Sequence, residues 1–169
     1  MIIQVSGNYG SGKSTAIKKY LSSGANVVVN IKKRPSGFYT GHLVNGRVFV
    51  IGDYVTDPGW MGADNLGSYD QAFDLVRVYI RSGHTVILES LTNINFIPEW
   101  KRVAEVKVVC LITPLDICIT SLKNKPAYIH KAIEQHRLFP AFCCAINDLK
   151  VPIIFASRSS AAWKLGVTA

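Results

Sequence analysis

The sequence predicts a single α/β domain of three layers, in which helices cover both faces of a five-stranded, mostly parallel sheet. Two observations lead to this fold class. Segments of helical periodicity alternate with five short apolar segments, at about residues 2–6, 26–31, 85–88, 106–112 and 151–156. Each segment is apolar along its whole length, which is typical of strands that are buried on both faces. The length of 169 residues fits one compact domain.

Helices are expected between these strands, over about residues 13–21, 68–82 and 113–122. The second of them has an apolar face, and Ser68 or Asp70 is a suitable N-cap. Gly83 follows it as a stop signal. A polar segment leads into a further helix that ends near residue 149, and a short helix follows the last strand.

A β-hairpin is predicted near residues 37–52. Two extended runs, 37–44 and 47–52, are joined by Asn45-Gly46, a strong signal for a two-residue hairpin turn. We expect this hairpin to be an insertion beside the five-stranded sheet. The Gly- and Asp-rich stretch over residues 53–67 that follows it predicts a long loop, and long loops in compact domains are usually functional or disordered.

The charge of the chain favours polyanionic ligands. The net charge is +8, and residues 101–169 contain ten Lys and Arg against four Asp and Glu. One interpretation is a nucleic-acid partner. The other is a cationic lid over the phosphates of a substrate, and Lys123, Lys125, Lys131 and Arg137 in the basic segment 123–137 are candidates for such a lid.

The sequence contains no signal for a membrane or for export. No apolar run approaches the roughly 20 residues of a membrane-spanning helix. The opening residues read as a buried strand and lack the charged region of a signal peptide. We therefore expect a cytoplasmic protein without a membrane partner.

Residues 7–14 carry the pattern with the clearest chemistry. They match G-x-x-x-x-G-K-[ST] at every fixed position and read Gly7-Asn8-Tyr9-Gly10-Ser11-Gly12-Lys13-Ser14. Glycines allow successive N–H groups to surround phosphate oxygens, and the helix that follows adds the positive end of its dipole. We predict that residues 7–15, including Thr15, bind ATP, that Lys13 acts on the β- and γ-phosphates, and that Ser14 ligates Mg²⁺.

Three acidic residues are candidates for the acceptor side of a phosphoryl transfer. Glu89 ends an apolar strand, where a carboxylate that holds Mg²⁺ would lie. Asp53 follows the hairpin and Asp64 lies in the long loop, and either could accept the proton of the acceptor hydroxyl. Loop aspartates also commonly make turns, so the pattern does not decide which of the three is the base.

Two arginines and three aromatic residues complete the candidate site. Arg137 in the basic segment and Arg158 after the last strand are predicted to bind the nucleotide. Phe38, Tyr54 and Trp60 could stack on a base.

The chain resembles bacteriophage P-loop kinases related to thymidylate kinase, and within them the 5-hydroxymethyluracil DNA kinase family. The resemblance covers roughly residues 1–125. It is carried by residues 7–15, which we call the phosphate loop after their predicted role, and by stretches at 51–54, 62–64, 73–84, 86–91 and 111–118.

The resemblance implies a P-loop kinase-like fold and a specific reaction. ATP would phosphorylate the hydroxymethyl group of 5-hydroxymethyluracil in phage DNA, inside the host cell, as a step in thymidine hypermodification. It also favours Asp64 and Glu89 over Asp53 for contact with the acceptor, and a base in duplex DNA would have to be flipped out. Two alternatives stay open, a kinase of a free nucleoside or nucleotide, and a P-loop NTPase or nucleotide-binding module.

Overall fold

The computed structural model describes residues 1–32, 39–55, 66, 68–90, 96–161 and 164–165. The strands are β1 (Ile2–Gly7), β2 (Val28–Lys32), β3 (Tyr39–Val44), β4 (Val48–Ile51), β5 (Thr85–Glu89), β6 (Val106–Leu111) and β7 (Ile153–Ala156). The helices are α1 (Lys13–Leu21), α2 (Tyr69–Arg81), α3 (Ile97–Val103), α4 (Leu115–Ser121) and α5 (Ala127–Asp148). The α/β class predicted from the sequence is confirmed.

All seven strands belong to one mixed sheet in the order β2-β3-β4-β5-β1-β6-β7. The five strands from β4 to β7 in this order are mutually parallel. The two strands β2 and β3 extend the sheet at one side, and β3 is antiparallel to both of its neighbours. The carboxyl ends of the five parallel strands therefore meet at one edge, which we call the carboxyl edge.

The prediction of a five-stranded sheet plus an inserted hairpin was wrong in the strand count, because both hairpin strands belong to the one seven-stranded sheet. The second hairpin strand, β4, is buried along its length and pairs in parallel with β5. The segment predicted as a buried strand at 26–31 instead forms the edge strand β2, where Val29 is 53% exposed. An edge strand has only one neighbour, so its apolar side chains are less covered than the pattern suggested.

The predicted hairpin turn itself is confirmed. Asn45 and Gly46 both have positive φ, at 51° and 66°, as a two-residue type I′ turn requires. The turn closes with a hydrogen bond of 3.0 Å from the Arg47 N–H to the Val44 carbonyl oxygen.

The helices agree with the sequence except for two differences. Ser68 caps α2 by accepting the Gln71 N–H, and Gly83 follows the helix with a φ of 82°. The short helix α3 was missed, because seven residues with a proline near the start give little periodicity. Helix α5 begins at Ala127. Most of the basic segment 123–137 therefore forms the first half of this helix, whereas the sequence predicted a polar segment before it.

Helices cover both faces of the sheet, as the sequence predicted. On one face α2, α3 and the second half of α5 pack on the strands, with Trp100 stacked on Phe73 at a ring-centroid distance of 4.0 Å. On the other face Ile17 of α1 and Leu165 near the C-terminus are fully buried. Within the residues that the structure describes, no helix has both the length and the apolar character to cross a membrane.

Candidate active site

A tight loop joins β1 to α1 at the carboxyl edge, where the sequence predicted phosphate binding. Gly10 and Gly12 adopt positive φ angles of 71° and 96°, which residues with a side chain rarely adopt. Gly12 is the N-cap of α1, and no side chain caps this end of the helix. The first N–H groups of α1 point out of the start of the helix, at the positive end of its dipole. This arrangement suits an anion.

Lys13 spans this loop with its side chain. The residue is 9% exposed, and Nζ donates to the Gly7 carbonyl oxygen at 3.0 Å and to the Asn8 carbonyl oxygen at 2.9 Å. A buried ammonium group needs acceptors, and these carbonyls supply two. The structure thus holds the predicted catalytic lysine within the loop.

The two predicted metal ligands, Ser14 and Glu89, are in direct contact. Glu89 is the last residue of β5 and lies opposite Val5 in the register of the parallel pair β1 and β5. Ser14 Oγ donates a hydrogen bond of 2.8 Å to Glu89 Oε2. Hydroxyl and carboxylate oxygens are ligands that Mg²⁺ prefers, and Mg²⁺ usually keeps water and phosphate as its other ligands. The described part of the chain contains no group of three or more His, Cys, Asp or Glu that could hold a metal ion.

Two side chains that follow later strands, Thr113 after β6 and Arg158 after β7, hold the loop from outside. Thr113 Oγ1 donates to the Ser11 carbonyl oxygen at 2.9 Å, and Arg158 Nε donates to the same oxygen at 3.1 Å. Arg158 Nη2 also donates to the Gly10 carbonyl oxygen and to Ser121 Oγ. The structure therefore places Arg158 at the phosphate loop, where its guanidinium group donates hydrogen bonds to loop carbonyl oxygens. Thr113 was not predicted as part of the site. Its position just after β6, at the carboxyl edge, was the signal that could have indicated it.

The first half of α5 also packs against the loop. Asn8 Nδ2 donates to the Ala132 carbonyl oxygen at 2.8 Å, and the Tyr9 N–H donates to Gln135 Oε1 at 3.3 Å. The rings of Tyr9 and Tyr128 lie 5.2 Å apart. Sequence reasoning missed these α5 residues because the contacts join positions more than a hundred residues apart in the chain.

Arg137 and Thr15 lie outside this set of contacts. Arg137 is exposed two residues beyond Gln135, which places it about 200° around α5 from the side that touches the loop. Thr15 is exposed in the first turn of α1. Their predicted roles in nucleotide binding remain predictions.

The close packing of the loop against α4 gives a first prediction. A methyl group at Gly10 would lie 2.4 Å from the Cys118 carbonyl oxygen, whereas one at Gly46 would meet nothing within 4 Å. Both glycines have similar positive φ, so either change to alanine strains the backbone by about 1–2 kcal/mol. We expect Gly10→Ala to lower the free energy of unfolding by about 1–3 kcal/mol more than Gly46→Ala. Urea unfolding measures the difference, and equal losses would contradict the described contact between α4 and the loop.

Asp53 is buried beside the parallel strands. It is 1% exposed, and its Oδ1 accepts the Val55 N–H at 2.9 Å, a contact typical of an aspartate that shapes a turn. Next to it, Tyr54 is 3% exposed, so its ring is packed rather than open for stacking on a base. Asp64, Trp60 and Phe38 lie outside the described residues.

A buried histidine next to Asp53 gives a prediction about pH. His42 is fully buried, its Nε2 accepts the Tyr54 N–H at 3.2 Å, and its Nδ1 lies 2.6 Å from Asn30 Oδ1. Burial lowers the pKa of His42 below its usual value, and the nearby charge of Asp53 offsets this only in part.

Because the pKa of His42 is lower in the folded state, the unfolded chain binds the proton more readily. The free energy of unfolding should therefore fall as the pH drops below about 6.5, and level off below the folded pKa. Urea unfolding across this range should show a smaller pH dependence for His42→Gln than for the wild type. The exposed His130→Gln serves as control, and an unchanged slope in His42→Gln would contradict the assignment.

Comparison with known proteins adds independent information about the family. No protein-family model matches the chain. It is 27% identical to a 5-hmdU DNA kinase of Pseudomonas phage PaMx11, over an alignment of 181 positions that covers 95% of this chain and 92% of that protein. It is 39% identical to a 5-hmdU DNA kinase of Delftia phage PhiW-14 over 69 residues, 41% of this chain and 24% of that protein. These relatives confirm the predicted resemblance to the phage 5-hydroxymethyluracil DNA kinases, and with it the prediction that the chain is a kinase.

Proposed function

We propose that this protein is an ATP- and Mg²⁺-dependent P-loop kinase that phosphorylates the hydroxymethyl group of 5-hydroxymethyluracil in DNA, in the cytoplasm of the phage-infected cell. The observation that carries the proposal is the phosphate loop, with Lys13 held across it and Ser14 bonded to Glu89. The similarity to a 5-hmdU DNA kinase over 95% of the chain supports the choice of acceptor.

The residues of the loop fit the phosphates of a nucleoside triphosphate. The glycine conformations and the uncapped start of α1 suit phosphate oxygens. Lys13 would exchange a carbonyl acceptor for a β- or γ-phosphate oxygen. Ser14 and Glu89 would hold Mg²⁺, which neutralises charge that develops on the phosphates during transfer. Thr113 and Arg158 keep the loop in shape through its carbonyl groups.

The transfer replaces one phosphorus–oxygen bond with another. The hydroxymethyl oxygen attacks the γ-phosphorus in line, the bond to the β-phosphate oxygen breaks, and ADP leaves. The hydroxyl proton passes to a carboxylate, for which we propose Asp64 or Glu89. Asp53 is buried, and its carboxylate accepts a hydrogen bond from the Val55 N–H. We therefore propose that Asp53 shapes the turn after β4 and does not act as the base.

A panel of acceptors tests this function. ATP labelled at the γ-phosphate is incubated with Mg²⁺ and, in parallel, with hydroxymethyluracil-containing DNA, ordinary DNA, free hydroxymethyldeoxyuridine and its monophosphate. We expect label on the modified DNA alone. Label on the free nucleoside or its monophosphate would replace the proposal with a kinase of free nucleosides or nucleotides. Phosphate release without any labelled acceptor would replace it with an NTPase.

A further inference from the structure

Helix α5 consists of two halves with different roles. In its second half Phe142 and Ile146 are buried in the core against the sheet. In its first half Tyr128, Ala132 and Gln135 contact the phosphate loop. All basic residues of α5 lie in this first half, namely His130, Lys131, His136 and Arg137. The charged part of the helix is therefore the part beside the loop.

Three lysines gather at the start of this helix. Lys123 and Lys125 lie in the turn between α4 and α5, Lys131 lies in α5, and all three are exposed. We call them the α5 lysine cluster. Residues 123–137 contain four Lys and Arg against a single acidic residue, Glu134. No acidic residue lies in the first turn of α5, so the positive end of its dipole adds to this charge.

Two members of the α5 lysine cluster can be placed relative to the phosphate loop. Lys123 directly follows Leu122, whose Cγ would lie 3.1 Å from a methyl group at Gly10. Lys131 Nζ is 5.3 Å from the centre of the Tyr128 ring, and that ring is 5.2 Å from the ring of Tyr9 in the loop. A polyanion bound to the cluster would thus lie next to the site of phosphoryl transfer.

We propose that the α5 lysine cluster binds the phosphate backbone of the DNA and holds the acceptor base beside the phosphate loop. This inference rests on the proposed function, because it takes DNA as the acceptor. Lysines on flexible stems suit contacts with phosphates, which position a protein on DNA without reading its sequence. The groove between α2 and α3 does not suit DNA, because it is lined by the carboxylates of Asp70, Asp74 and Glu99 with Arg77.

A matched pair of triple variants tests this surface. Lys123→Gln, Lys125→Gln and Lys131→Gln together remove the cluster. The control combines Lys19→Gln, Arg81→Gln and Arg102→Gln, three exposed residues in the last turns of α1, α2 and α3. Both variants lose three positive charges. Fluorescence anisotropy measures binding to a labelled DNA duplex, with and without hydroxymethyluracil, over a series of salt concentrations.

We expect the cluster variant to bind DNA about tenfold or more weakly than the wild type at about 0.1 M salt. The slope of the logarithm of the binding constant against the logarithm of the salt concentration should become less negative by roughly 2–3. The control should stay close to the wild type, and the KM for ATP should not change in either variant. Equal DNA binding by the wild type, the cluster variant and the control would overturn the inference. A raised KM for ATP with unchanged DNA binding would overturn it as well, in favour of a lid over the nucleotide.

The failure of this inference is distinguishable from failure of the proposed function. Binding to DNA is measured without catalysis, whereas the acceptor panel measures transfer. Label on modified DNA combined with unchanged binding by the cluster variant would leave the function standing and reject the surface. Absence of DNA binding by the wild type would reject the surface whatever the acceptor panel shows.

Discussion

Replacing Lys13 with alanine is expected to reduce phosphoryl transfer by a factor of about 10² to 10³ or more. The lysine lies inside the phosphate loop with Nζ bonded to two loop carbonyls, and in transfer it would stabilise charge on the β- and γ-phosphates. Transfer from γ-labelled ATP to the acceptor measures the loss. Because the loop is also held by Thr113 and Arg158, we expect the variant to stay folded.

Lys19→Ala is the control for this change. Lys19 lies on the same helix, carries the same charge and is exposed. It should transfer phosphate at the wild-type rate. Turnover like that of the wild type in Lys13→Ala would contradict the assignment of residues 7–14 as a phosphate loop.

Glu89→Gln is expected to cause the second large loss, by a factor of about 10² or more. Glutamine keeps an oxygen that accepts the Ser14 hydroxyl but removes the negative charge, so the change tests the charge rather than the packing. A titration with Mg²⁺ and a pH profile of transfer show which role is lost. Loss of a metal ligand should be rescued in part by high Mg²⁺, whereas loss of the base should remove the acidic limb of the profile.

Glu105→Gln serves as control because the Glu105 side chain is 65% exposed and Glu105 directly precedes β6, at the end of the strand opposite the carboxyl edge. Asp64→Asn is compared in the same assay, since either carboxylate is proposed as the base. If Glu89→Gln retained full transfer at low Mg²⁺, Glu89 would have neither role.

Local patterns made the position of the β1–α1 loop and most elements predictable. The motif at residues 7–14 is continuous in the sequence, and in the structure it forms a tight loop with two glycines at positive φ and Lys13 Nζ bonded inside it. Its binding of phosphate stays a prediction. The hairpin turn at Asn45-Gly46 was predictable because only a few residues tolerate positive φ there. Helix α1 was predicted with the bounds that the structure shows.

Relations between distant segments were harder to predict. The apolar run at Val27 to Val29 resembles a central strand, but apolar composition does not tell how many neighbours a strand has. The strand is at the edge and β4 pairs with β5 in its place. The contacts of Asn8 with Ala132 and of Tyr9 with Gln135 also depend on tertiary packing, since 124 and 126 residues separate the partners.

The location of the transferred phosphate tests the central claim most directly. A closed circular duplex containing hydroxymethyluracil has no 5′ ends, so a kinase of DNA ends has no acceptor there. After reaction with ATP and Mg²⁺, the circle is digested to nucleotides, and mass spectrometry identifies the species that carries an additional phosphate. The proposed function predicts hydroxymethyldeoxyuridine monophosphate with a second phosphate on the base. An unmodified digest, alongside label on the ends of linear DNA or on the free nucleotide, would contradict it.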